Sequence, residues 1–227
     1  MLIFQKTPLR AIRAVIFDMD GTLIDSIDVY HAITNDVMEC LGIEMILSRE
    51  VFLECLSHGK NLSDVIFPSD VENRGRTVER FKTLASHAFK EIFSKGRVEL
   101  IDGVNRLFEE LRGRGFSLAI VTSSMTEVVV PFLKGRNLYP YLNCVLGRSE
   151  VPRLKPSPDP LLKCVEILNV QPCESLYVGD SIIDIQAGKA AGTRTAGVLT
   201  GTTDLNRLKA EAPDVILHSV GDLLTVL

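Results

Sequence analysis

Six short apolar runs rich in β-branched side chains punctuate the chain: Ala14 to Phe17, Leu118 to Val121, Cys144 to Leu146, Leu176 to Val178, Thr195 to Val198 and Val215 to Leu217. A run that is apolar at nearly every position reads as a strand buried on both faces. Between the runs, apolar residues fall at helical spacing. Val104, Leu107, Phe108 and Leu111 form such a stripe, and Gly113 and Gly115 end it. Ser124 and Glu127 have capping-box spacing and predict a helix start there. Ser157 with Pro158 predicts an N-cap followed by proline at the first helical position. Strands alternating with helices predict an α/β fold: a Rossmann-like three-layer core with a parallel sheet covered on both faces.

Residues 26–97 break the alternation. Ile33, Val37, Met38 and Leu41 make one helical stripe, Phe81, Leu84, Ala85, Ala88, Phe89 and Ile92 another, and no strand run intervenes. The expected organisation is an α/β core of residues 1–25 and 98–227 with an all-α cap, 26–97, inserted after the first strand. At 227 residues the chain is about one and a half times a ~150-residue domain, which suits a core plus a small insert. Gly96 and Gly103 flank the return to the core and are candidate hinges.

Composition narrows the function classes. A 46% hydrophobic and 24% charged chain is an ordinary folded one. With 25 Lys+Arg against 29 Asp+Glu it lacks the basic footprint of a nucleic-acid binder. No apolar stretch approaches the ~20 residues of a membrane helix, and Met1 to Pro8 carries no signal-like apolar region. The expectation is a cytoplasmic protein, monomer or homodimer, with no membrane or nucleic-acid partner. The five cysteines form no C-x-x-C pair and read as small hydrophobes, and the four histidines show no zinc spacing. Arg74, Arg76, Arg80 and Lys82 read as a solvated helix face.

Ligands of an open parallel sheet bind beyond the carboxyl ends of its strands. Asp18, Asp20, Gly21 and Thr22 follow the first run, and Thr122, Ser123 and Ser124 the second. Lys155 follows the third, and Gly179-Asp180 the fourth, with Asp184 four residues on at a helix start. A lone aspartate there would be a helix cap. Four carboxylates on one rim repel one another, and one lysine does not offset them. A hard divalent cation with oxygen ligands does, and the hydroxyls with Lys155 then face an anion, which points to a phosphoryl group. Other phosphate and hydrolase motifs are absent. There is no P-loop and no G-x-S-x-G, and Gly113-Arg114-Gly115 has Leu118 at the third glycine position.

These motifs, Asp18-Met19-Asp20-Gly21-Thr22-Leu23, then Thr122, Lys155 and Gly179-Asp180 with Asp184, resemble the haloacid dehalogenase superfamily. The likeness is to its helical-cap phosphatases of the phosphoglycolate phosphatase and β-phosphoglucomutase type. The resemblance implies that Asp18 is a nucleophile forming an aspartyl phosphate and that Asp20 is the acid and base. It implies that Thr122, Ser123 and Lys155 bind phosphate. Mg²⁺ would be held by Asp18, Asp20 through its backbone carbonyl, Asp180 and Asp184. It implies a cap loop setting specificity, for which Gly59, Lys60 and Asn61 are the candidates, with Lys60 meeting a second anionic group. The second aspartate points to phosphate esters as substrates. The expected activity is Mg²⁺-dependent hydrolysis of a small phosphomonoester, phosphoglycolate- or sugar-phosphate-like. The alternatives are a sugar phosphomutase and a non-catalytic phospho-acceptor. Ser123 stands where phosphoglycolate phosphatases often have Asn, and Thr22 where the mutases commonly have Val.

Overall fold

The computed structural model describes residues 2–5, 9, 11–67 and 73–227. The chain opens with β1 (Leu2–Gln5), β2 (Ala14–Phe17) and the two-residue β3 (Ile24–Asp25). Four helices follow: α1 (Ile27–Cys40), α2 (Arg49–Ser57), α3 (Leu62–Ile66) and α4 (Arg74–Ser94). Next come β4 (Glu99–Leu100), α5 (Val104–Gly113), β5 (Ser117–Val121), α6 (Thr126–Gly135), β6 (Cys144–Leu146) and α7 (Asp159–Leu168). The chain ends with β7 (Ser175–Gly179), α8 (Ile182–Ala191), β8 (Arg194–Val198), α9 (Leu205–Ala210) and β9 (Val215–Leu217).

Seven strands form one sheet in the order β1-β9-β8-β7-β2-β5-β6. Six are parallel, as the buried runs predict. The seventh, β1, pairs antiparallel with β9 at the edge and is largely exposed, so it carries no buried run to read. The all-apolar β2 lies centrally, and each of its four residues is fully buried. Its register decides where the site forms. Phe17 lies opposite Ile120 of β5 and Val178 of β7, so the residues just beyond emerge side by side: Asp18 from β2, Thr122 from β5 and Asp180 from β7.

The two faces of the sheet bury separate apolar layers. On one, Phe17 stacks on Phe108 of α5 with ring centroids 5.2 Å apart, beside Leu107, Leu111 and Leu118. Burying one such side chain contributes roughly 1.5–3 kcal/mol. On the other, Ile16, Ala119 and Tyr177 pack under Leu161 and Cys164 of α7 and Ala187 of α8. Helices α1 to α4 bury a third cluster around Val37, Met38, Phe52 and Phe81. The chain leaves the sheet for these helices and returns through an antiparallel ribbon in which Ile24 of β3 faces Leu100 of β4. Gly103, at φ +88°, sets the start of α5 in a conformation that favours glycine.

Two expected helix starts shift. Helix α6 begins at Thr126 with Met125 at its N-cap, because the Ser124 hydroxyl donates to Asp20 instead of capping. Helix α7 begins at Asp159, one residue later than expected, with Pro158 at the N-cap. Ser157 still receives the Asp159 N–H, at 3.4 Å, and Pro160 in the first turn has no N–H to satisfy. Arg76, Arg80 and Lys82 lie on exposed positions of α4, while Arg74 donates to the Phe67 carbonyl and pairs with Asp64. All five cysteines are free thiols. Among the described residues no helix is long and apolar enough to cross a membrane.

Candidate active site

Lys155 stands at the centre of the rim. Its ammonium donates to Asp18 Oδ1 at 2.6 Å, to Asp184 Oδ1 at 2.6 Å and to the Tyr177 hydroxyl at 3.0 Å. All four side chains are buried. Tyr177 points from β7 and its hydroxyl reaches Asp184 Oδ1 at 2.9 Å. Asp184 occupies the N3 position of α8, where Oδ2 receives the Ser181 N–H and hydroxyl in a capping box. Asp184 therefore holds the helix start and the lysine at once. Asp180 accepts the Thr202 N–H at 2.7 Å, the Thr202 hydroxyl at 2.8 Å and the Thr22 hydroxyl at 3.2 Å.

Backbone crowds these carboxylates closely enough to require glycine. A Cβ on Gly201 would lie 2.1 Å from Asp180 Oδ2, and one on Gly179 2.4 Å from Asp184 Cγ. Gly21, at φ +76°, packs against both Gly201 and Asp180.

Asp18, Asp180 and Asp184 each place a carboxylate oxygen within 4.8 Å of the others. With Lys155 as the only buried cation among the described residues, full ionisation would leave two uncompensated negative charges out of water. The titration behaviour follows. Burial pushes Asp18 well above the usual carboxylate range; Lys155 opposes this, and Asp184 and Asp180 add to it. Burial and the Asp184 charge push Asp180 up to about 6, against the Thr202 hydrogen bonds. Burial disfavours the Lys155 charge, but Asp18 and Asp184 outweigh it and the ammonium is held well above its ordinary range. A hard, all-oxygen donor set with surplus negative charge fits a divalent metal ion.

Asp20 is handled differently. Its carboxylate lies outside the three-carboxylate cluster and accepts the Ser26 hydroxyl at 2.8 Å on Oδ1 and the Ser124 hydroxyl at 2.7 Å on Oδ2. Tyr30 of α1 approaches Ser124 Oγ at 3.4 Å. Burial and the Asp20 charge hold the Tyr30 phenol well above its ordinary range.

A cavity of about 340 Å³ opens over this arrangement, and Asp18, Asp20, Thr122, Ser123, Lys155 and Asp180 all line it. Thr122 Oγ1 receives the Ser124 N–H at 3.0 Å. Asp184 lies beneath, 1% exposed. The loop residues Gly59, Lys60 and Asn61 do not line the cavity. Gly59 sits against Ile183 and the Lys155 carbonyl, Lys60 pairs with Glu54 at 3.4 Å, and Asn61 caps α3 by accepting the Ser63 N–H.

Sequence reasoning missed Ser26, Tyr30, Tyr177, Gly201, Thr202 and Arg148. Gly201 and Thr202 follow β8, so the strand-end rule extends to them. Ser26 reads as a helix cap and Tyr177 as core. Arg148, after β6, lines the cavity from an exposed position.

The family model for haloacid dehalogenase-like hydrolase matches residues 15–198. The chain is 32% identical over 231 residues to pyrophosphatase PpaX of Anoxybacillus flavithermus, covering 95% of this chain and 97% of that protein. It is 30% identical over 239 residues to phosphoglycolate phosphatase of Escherichia coli, covering 95% and 92%. Among solved structures it resembles a predicted phosphoglycolate phosphatase of Haemophilus somnus at TM-score 0.80 and 22% identity, covering 95% and 98%, a likeness of fold.

Proposed function

The chain belongs to the haloacid dehalogenase-like hydrolase family, and on that premise we propose that it is a Mg²⁺-dependent phosphatase of a small phosphomonoester working through an aspartyl phosphate. The observation that carries the reading is the cluster of Asp18, Asp180 and Asp184, with Lys155 bonded to Asp18 and Asp184, at a cavity whose wall also holds Asp20. In this reading residues 26–97 act as a cap over a core of 1–25 and 98–227, with Gly59 of the Gly59-Lys60-Asn61 turn against Ile183 of the cavity wall. The name of the Escherichia coli relative makes phosphoglycolate a first candidate, beside the sugar phosphates that the motif resemblance implies.

The chain's own groups divide the work. Lys155 occupies Oδ1 of Asp18, and among the described residues Oδ2 accepts no hydrogen bond, which leaves an oxygen for phosphorus. Asp18 attacks, the bond from phosphorus to the leaving oxygen breaks, and Asp20 delivers a proton to that oxygen. Asp20, now a carboxylate, takes a proton from water as the water oxygen attacks phosphorus and the bond to Asp18 breaks, releasing phosphate. Splitting one displacement into two is the advantage of a covalent route. A positioned acid and base contributes roughly 10²–10⁴-fold. Ser26 and Ser124 fix the direction of the Asp20 carboxyl. Thr122, Ser123 and Lys155 bind phosphoryl oxygens. A Mg²⁺ ion, held by Asp18, Asp180 and the Asp20 carbonyl with Asp184 behind them, would neutralise charge on the phosphoryl group.

Phosphate release from phosphomonoesters in the presence of MgCl₂ tests the reading. Asp18→Asn and EDTA are each expected to abolish turnover. Full activity in either refutes it. Phosphate moved between positions of a sugar, without release, identifies a mutase, and a stable phosphoprotein without turnover a phospho-acceptor.

A further inference from the structure

Among the described residues, every side chain that helices α1 to α4 present to the cavity is uncharged. Ile27, Phe52, Leu56, Leu62, Phe81 and Phe89 make most of that wall. The two hydroxyls there are engaged: Thr34 donates to the Tyr30 carbonyl at 2.8 Å, and Tyr30 pairs with Ser124. Lys60, the cation expected to meet a second anionic group, faces Glu54 instead, and Glu54 is also held by Arg207 of α9. The helical wall of the cavity thus has no free donor or cation among the described residues.

From this we infer that the leaving group is an uncharged, apolar alcohol, so that the substrate is a phosphomonoester with an alkyl or aryl body. The inference rests on the phosphatase reading and departs from the substrates that the relatives' names suggest. A leaving group with its own carboxylate or second phosphate would be taken from water to this wall without a partner, which is strongly unfavourable. An apolar one gains by the same transfer. The rival is Arg148, which lines the cavity from the core side and makes no ion pair among the described residues.

The test is kcat/KM of the full chain with MgCl₂ for methyl, butyl, hexyl and phenyl phosphate beside phosphoglycolate and pyrophosphate. The expected result is a rise of about fourfold per added methylene until the cavity is filled, with hexyl phosphate at least ~10-fold above phosphoglycolate. Leu62→Asn should lower the hexyl-to-methyl ratio by about tenfold; a ratio within one variant does not depend on how much of it folds. A flat chain-length dependence overturns the inference. So does a preference for phosphoglycolate or pyrophosphate that Arg148→Gln removes. Both leave the phosphatase reading standing. Release of phosphate from none of the six compounds overturns the inference, and release from none of them nor from a sugar phosphate refutes the phosphatase reading as well.

Discussion

Gly201→Ala places a single methyl group against Asp180. Gly201 has no positive φ, so the effect is crowding and not backbone strain. The new Cβ would lie 2.1 Å from Asp180 Oδ2, whereas real Cβ contacts essentially never fall under 3.0 Å, so the carboxylate or the loop must retreat by about 0.9 Å. Asp180 is 1% exposed, and its Oδ2 holds the Thr202 N–H at 2.7 Å and the Thr202 hydroxyl at 2.8 Å. Neither partner can follow freely, because Thr202 is the next residue on the moving loop. A displacement of about 1 Å in a positioned catalytic group costs about 10² in rate. Disturbing the surroundings of a metal ligand weakens the metal by about 10–100-fold. Gly201→Ala should therefore lower kcat by about 10²-fold and raise the MgCl₂ concentration for half-maximal activity by about 10–100-fold. Phosphate release across a MgCl₂ titration reads both. Gly113→Ala is the control: a Cβ there meets nothing within 4 Å, and the change should leave kinetics unaltered. Wild-type kcat and metal dependence in Gly201→Ala would refute the reasoning.

Three further outcomes follow from the geometry. Tyr177→Phe strips a hydroxyl that serves Lys155 and Asp184, and it should destabilise by about 1–3 kcal/mol in urea unfolding. Phe108→Ala empties the stacked contact with Phe17 and should cost about 3–5 kcal/mol by the same measurement, with the metal dependence of the folded enzyme unchanged. Asp180, held at about 6 against an ordinary 3.8, binds a proton in the folded state that the unfolded chain has released. Its contribution to stability is therefore present below about 3.8 and is lost as pH rises through about 6. On the proposed metal site a divalent cation would replace that proton, so MgCl₂ should raise the melting temperature more at pH 8 than at pH 5; equal shifts would contradict the assignment.

The sheet was legible because burial on both faces leaves a strand no polar positions: Val15, Ile16 and Phe17 admit little else. β1 was not, because an exposed edge strand carries no such run. The acidic rim was legible for the same reason as the strands, since Asp18 and Asp180 end two of them. What stayed hidden are groups whose residue type has a commoner use. Tyr177 alternates with core residues and betrays itself only through its hydroxyl. The orientation of Lys60 depends on Glu54 and Arg207, 153 residues apart in sequence, a contact no local pattern encodes.

Ser26 occupies the N-cap of α1 yet makes no side-chain cap bond, because its hydroxyl is turned to Asp20. A serine cap is ordinarily worth about 1 kcal/mol. Ser124, just ahead of α6, makes the same choice. Two helix starts are thus left weaker than their sequences allow so that one carboxyl keeps its direction. With Asp20 in its proposed role, helix stability and proton delivery compete for the same two oxygen atoms, and a selection for thermal resistance alone would be drawn to Asp20 as the residue to discard.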